Sequence, residues 1–152
     1  MDTQSSSSGD HRSRGSRLQK ESEQRGATPG KPRIVIVDDE FFVAWHLHSL
    51  LEEMGYAGSE VASNSRTAIG VAVELEANLL LMDVNLGKGP DGVETVRRIL
   101  ELRDTEVIFI TAYTDEENLR RIRSVKPGAL ILAKPVSFEA LQDAIGRLFP
   151  QH

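Results

Sequence analysis

The stretch RIVIVDDE, residues 33–40, decides the fold: four consecutive apolar residues, Ile34 to Val37, run straight into three acids, Asp38, Asp39 and Glu40. A short unbroken apolar run suits a strand buried on both faces, as in a parallel sheet covered by helices. Three adjoining carboxylates repel one another and raise each other's pKa unless a cation lies among them. The run is therefore expected to end at a site that receives something positive. A plainer reading is that Asp39 and Glu40 begin a helix, where acids complement the dipole.

Similar runs recur outward from this one: LLLM at 79–82, VIFI at 107–110 and ALILA at 129–133, with a weaker one, SEVA, at 59–62. Between them lie helical stripes. Val43, Leu47, Leu50, Leu51 and Met54 form one; Val93, Val96, Ile99 and Leu100 another; Phe138, Leu141, Ile145 and Leu148 a third. Asn64, the pairs Asp91 with Glu94 and Thr114 with Glu117, and Ser137 stand where helix caps are needed. Five βα units in succession predict a parallel sheet with right-handed crossovers and helices on both faces. The expected class is α/β, a flavodoxin-like doubly wound (βα)5 fold with strand order 2-1-3-4-5.

A length of 152 residues suits one domain with a sizeable core. The chain has no cysteine, which excludes disulfides and Cys-ligated zinc or iron–sulfur sites. It shows neither a signal peptide nor an apolar run long enough for a membrane span, so a soluble, cytoplasmic protein with no membrane partner is expected. Residues 33–152 hold twelve Lys/Arg against nineteen Asp/Glu, about −7, which argues against nucleic-acid binding by the folded part. Residues 1–32 carry seven serines, four glycines and three apolar residues, and are expected to be a disordered Ser/Gly/Arg-rich tail. Arg12, Arg14 and Arg17 in it suit RNA, an acidic lipid surface or an acidic partner, or else a purely solvated tail or linker.

In an open parallel sheet the ligand site lies beyond the carboxyl ends of the strands. Here those ends carry Asp38, Asp39 and Glu40, then Asp83, Thr111 and Lys134. An aspartate such as Asp83 can act as a nucleophile and form an acyl phosphate. Asp38, Asp39 and Asp83 offer the hard oxygens that Mg2+ prefers, which would also answer the repulsion in DDE. Thr111 and Lys134 can hold phosphoryl oxygens by a hydroxyl and a charge. His46 and His48, without a third ligand, are read as helix-surface residues rather than metal ligands.

The segments IVIVDDE, LLLMDVNLGKGPDG, VIFITAY and LAKPVSFEAL, in this order and spacing, resemble the receiver domain of bacterial response regulators over residues 33–149. The resemblance implies Asp83 as phosphoacceptor, and Asp38, Asp39, Asp83 and the Asn85 backbone carbonyl as Mg2+ ligands. It implies Thr111 as switch hydroxyl, Lys134 as the phosphoryl-binding lysine, and Pro135 as the proline that follows it, often through a cis bond. The implied partner is a sensor histidine kinase or a histidine phosphotransfer protein. The implied role is a phosphoprotein of two-component signalling that mediates its own aspartyl phosphorylation and dephosphorylation rather than a turnover enzyme.

Two features depart from the family pattern. Ile131 stands where many receivers carry an aromatic residue that moves with the switch threonine; a β-branched aliphatic has less reach and no hydroxyl. Tyr113 could substitute for it or cover the site entrance, while small Ala112 leaves room for an incoming side chain. No output domain is expected, so the signal would leave by protein contacts or by relay of the phosphoryl group. The implied exit is the face of the fourth helix, fifth strand and fifth helix, which could also pair two copies of the chain. The basic run Arg120, Arg121, Arg123 and Lys126 there suits an acidic partner or simple solvation. Two competing readings are a phosphorylation-independent receiver-like binding module and an aspartyl phosphatase of the haloacid dehalogenase type. The second places its nucleophile on the first strand in an Asp-x-Asp pattern, which DDE does not match.

Overall fold

The computed structural model describes residues 31–150. The expected tail lies outside the described residues apart from Lys31 and Pro32. Ten elements alternate: β1 (Ile34–Val37), α1 (Phe41–Glu53), β2 (Glu60–Ala62), α2 (Ser65–Leu75), β3 (Leu79–Asp83), α3 (Gly92–Leu100), β4 (Glu106–Thr111), α4 (Glu116–Val125), β5 (Leu130–Ala133) and α5 (Phe138–Leu148). The five strands pair in parallel in the order β2-β1-β3-β4-β5, as the alternation predicts. Among the described residues no helix is long and apolar enough to cross a membrane.

The apolar runs are buried on both faces because side chains alternate across the sheet. Val35, Val37, Leu80, Met82 and Phe109 pack against Ala68, Ala72, Val93, Val96, Ile99 and Ile122 of α2, α3 and α4. Ile34, Ile36, Leu79, Leu81, Ile108 and Ile110 pack against Ala44, Leu47, Leu51, Leu141, Ala144 and Ile145 of α1 and α5. Each buried Val, Leu or Ile among them contributes roughly 2 kcal/mol. The edge strand β5 is different: Leu130 to Leu132 are only half-buried and Ala133 is exposed.

Capping follows the sequence at three helices. Asn64 accepts from the Thr67 amide at 2.9 Å, Asp91 from Glu94 at 2.9 Å and Ser137 from Ala140 at 3.1 Å. At α4 the expectation for Thr114 with Glu117 is corrected by one residue: Asp115 caps, accepting from the Asn118 amide at 2.8 Å. A carboxylate adds charge complementarity to the same geometry, so it displaces the neighbouring hydroxyl. Glu40 precedes α1 without a side-chain cap. On α1, His46 Nε2 meets the Val136 carbonyl at 2.9 Å, while His48 meets Ser59 Oγ at 2.8 Å and Glu52 at 3.2 Å.

Candidate functional site

Strand register brings the candidate residues together. Val37 lies beside Met82, so Asp38 and Asp83 leave adjacent strands side by side. Thr111 lies beside Ala133, so Lys134 follows next to it, and the Lys134 amide donates to the Thr111 carbonyl at 3.0 Å. A cleft of about 390 Å³ opens over these strand ends, lined among others by Glu40, Asp83, Asn85, Asp91, Thr111 and Lys134.

Asp38 and Asp83 are buried, at 2% and 4% exposure, whereas Asp39 is exposed. Each of the three offers a carboxylate oxygen within 4.8 Å of the others. The Lys134 ammonium sits between two of them, 3.2 Å from Asp38 Oδ2 and 3.4 Å from Asp83 Oδ1. Asp38 Oδ1 accepts from the Glu40 amide at 2.8 Å, and Asp83 Oδ1 from the Asn85 amide at 3.1 Å. Asp38 Oδ2 is buried without an aligned hydrogen-bond donor. A buried carboxylate oxygen met by the Lys134 ammonium only as an ion pair, beside two further carboxylates, is a donor set that suits a hard divalent cation, so the residues present fit such an ion. Glu40 lines the cleft but stands outside this cluster, so the three acids of DDE divide into two ligand candidates and one rim residue.

Burial, and after it the Asp38 charge, push the Asp83 carboxyl up to about 6; the Asn85 amide and Lys134 oppose the rise. Burial draws the Lys134 ammonium down, but Asp38 and Asp83 outweigh it, and the net direction is up. A lysine held charged between two acids is a fixed positive pole in a cleft that would otherwise repel anions.

Thr111 is buried and its hydroxyl donates to the Tyr113 carbonyl at 2.6 Å; the Tyr113 amide in turn meets Thr111 Oγ1 at 3.2 Å. The hydroxyl is thus engaged with its own loop. Ala112 and Tyr113 line the cleft and are exposed. Ile131 pairs with Phe109 across β4 and β5 and packs half-buried on the core under α2, α3 and α4. The Lys134–Pro135 bond is cis.

The loop between β3 and α3 is held close. Gly92 donates its amide to the Val84 carbonyl at 2.8 Å, and a Cβ there would lie 2.0 Å from the Asp83 carbonyl oxygen. Gly87 has φ +78°, and a Cβ on it would approach Asp39 Oδ2 to 2.9 Å. Sequence reasoning missed two features. Arg121, taken as part of a surface basic run, forks the Asp91 carboxylate at the cleft wall through contacts of 2.8 and 3.0 Å. Phe41, Phe42 and Trp45 are 72%, 81% and 58% exposed at the start of α1, beside rim residue Glu40. A signal existed for the aromatics, since all three fall outside the apolar stripe of α1.

The sequence model of the response regulator receiver domain matches residues 34–146. The phyllosphere-induced regulator PhyR of Methylorubrum extorquens is 34% identical over 104 residues, covering 67% of this chain and 38% of that protein. Sporulation initiation phosphotransferase F of Bacillus subtilis is 28% identical over 120 residues, 78% of this chain and 94% of that protein. Among solved structures, the signal receiver domain of a modulated diguanylate cyclase from Desulfovibrio desulfuricans superimposes with a TM-score of 0.72 at 33% identity, covering 79% of this chain and 94% of that one. The chain spans well under half of PhyR, so the similarity concerns the receiver portion alone.

Proposed function

The chain belongs to the response regulator receiver domain family, and on that premise we propose that it accepts a phosphoryl group on Asp83, in the cytoplasm, from a phosphohistidine. The donor is a sensor histidine kinase or a histidine phosphotransfer protein. An ionised Asp83 oxygen attacks phosphorus; the P–N bond breaks as the P–O bond forms, and the released imidazole nitrogen takes up a proton. With its carboxyl near 6, Asp83 is mostly ionised at pH 7.5 yet less strongly solvated than a surface acid.

The observation that carries this reading is the Lys134 ammonium lying within 3.4 Å of Asp83 Oδ1 and 3.2 Å of Asp38 Oδ2, at the ends of three different strands. Lys134 would pair with a phosphoryl oxygen, and the Thr111 hydroxyl would exchange the Tyr113 carbonyl for another. Asp38, Asp39, Asp83 and the Asn85 carbonyl would hold Mg2+, whose charge offsets that of the arriving group. The modification adds about −1.5 to −2 charge to an acidic cleft, which explains why both cations are needed. Phe41, Phe42 and Trp45 offer the donor an apolar contact beside the cleft mouth, where it must sit to deliver the group. Turning of Thr111 would move the loop before α4, and the face of α4, β5 and α5 would present the change to a protein target or a second copy.

The test is incubation of the full chain with phosphoramidate, whose P–N bond stands in for phosphohistidine, followed by intact mass measurement. One phosphoryl adduct that requires Mg2+ is expected on the wild type and none on Asp83→Asn. An adduct of equal yield on the variant, or none on wild type at any Mg2+ concentration, would refute the reading.

A further inference from the structure

Helix α4 is weakly anchored: Ile122 is its one buried residue, against five on α3. A polar contact supplements that anchor. Arg121 reaches across to Asp91, with Nη1 on Oδ2 at 2.8 Å and Nη2 on Oδ1 at 3.0 Å, and Nη1 also donates to the Asn118 side chain at 3.1 Å. A planar guanidinium gripping both oxygens fixes orientation as well as distance, which a single-point contact does not.

The two ends of this pair differ in freedom. Asp91 caps α3 through the Glu94 amide, and its neighbour Gly92 is pressed against the Asp83 carbonyl, where no Cβ fits. Asp91 therefore moves with the backbone of the phosphoacceptor. Arg121 moves with α4, whose preceding loop begins at Thr111 and is held by the Thr111–Tyr113 bond. Asp91 and Asn118 line the same cleft as Thr111.

We propose that Arg121 is a positioning residue: its fork on Asp91 holds α4 in the resting register and sets how readily Thr111 and the loop after it turn toward Asp83. This rests on Asp83 being the phosphoacceptor. The competing possibility is that Arg121 only neutralises Asp91, and the two differ in sign. A register clamp is released equally by losing either partner. A charge effect is reversed, because losing Arg121 makes the cleft wall more negative and losing Asp91 makes it less so.

The experiment records amide NMR spectra of the full chain as wild type, Arg121→Gln, Asp91→Asn and the double variant. Asparagine caps a helix as well as aspartate does, so α3 is kept. Wild type with beryllium fluoride and Mg2+ supplies the direction of the activated change. Both single variants, without any phosphoryl analogue, are expected to displace the Tyr113 and Asn118 amides in that direction. The displacement should match a three- to fivefold shift in populations, the scale of a partly exposed ion pair, and the double variant should move no further than either. Arg121→Lys, which keeps the charge and loses the fork, is expected to move the same way by less. Opposite displacements in the two single variants, additive displacement in the double, or none at all would overturn the proposal. A wild type that fails to respond to beryllium fluoride with Mg2+ would sink the phosphoacceptor reading as well; a responsive wild type with unmoved variants would sink the role of Arg121 alone.

Discussion

On one side of the cleft β3 is buried along its whole length, and α3 lays Gly92, Val93, Thr95, Val96 and Ile99 against the sheet. On the other side β5 is half-buried at best, and α4 buries Ile122 fully and Val125 only in part. The same parallel sheet runs under both. What differs is how much apolar surface each helix withdraws from water, and so how much free energy opposes its displacement. Asp83, the proposed phosphoacceptor, stands with the metal-ligand candidates on the firm side, where acids must keep their spacing. Thr111 stands at the boundary, its hydroxyl tied to the loop that leads into the loose side. A receiver needs both properties, since a site that moved would lose its geometry and a surface that could not move would carry no signal.

The comparison breaks most visibly at Gly92. A methyl group there has no room beside the Asp83 carbonyl, so Gly92→Ala should lower stability by about 3 kcal/mol in urea unfolding. A loss under 1 kcal/mol would mean the firm side yields after all. A smaller effect, of opposite sign, is expected from Asp83→Asn. The raised Asp83 pKa means that the folded protein holds the proton more tightly than the unfolded chain does. Ionisation therefore weakens the fold as pH rises through about 6. With divalent cations chelated, the variant should be more stable than wild type at pH 7.5 by about 2 kcal/mol, the gain shrinking as pH falls toward 4. A gain that does not vary with pH would point to packing rather than charge.

Hydrogen exchange sharpens the contrast between the two sides directly. Amides in the middle of α4 should exchange at least tenfold faster than those of β3, a difference of about 1.4 kcal/mol in opening free energy. Equal protection would remove the basis for treating α4 as the movable element. The smallest effect belongs to Thr111→Val, which removes the bond to the Tyr113 carbonyl and should cost about 1 kcal/mol or less. Formation of the adduct should survive this change, while the spectral response of α4 to beryllium fluoride should be blunted.

The firm side was legible in the sequence. IVIV and LLLM have no polar residue to expose, so they had to be central strands, and the acids that follow them had to leave the sheet at one end. The loose side was less legible. ALILA reads as apolar as the central strands, yet β5 ends up half-exposed because an edge strand has a neighbour on one side only. Arg121 and Asp91 are 30 residues apart, and nothing in the local pattern distinguishes Arg121 from Arg120 or Arg123. Only the packing of α4 beside α3 selects it. Thr114 and Asp115 both carry capping chemistry at adjacent positions, and the sequence does not say which of them takes the extended conformation.

The central claim is that the carboxylate at the end of β3, and no other in the acidic cluster, carries the phosphoryl group. Borohydride reduction of the phosphorylated full chain converts an acyl phosphate to an alcohol and so marks the modified aspartate in a peptide map. The mark is expected at Asp83 alone, with Asp38 and Asp39 unmodified. A mark at Asp38 or Asp39, or a phosphorylated protein with no reducible aspartate, would contradict it.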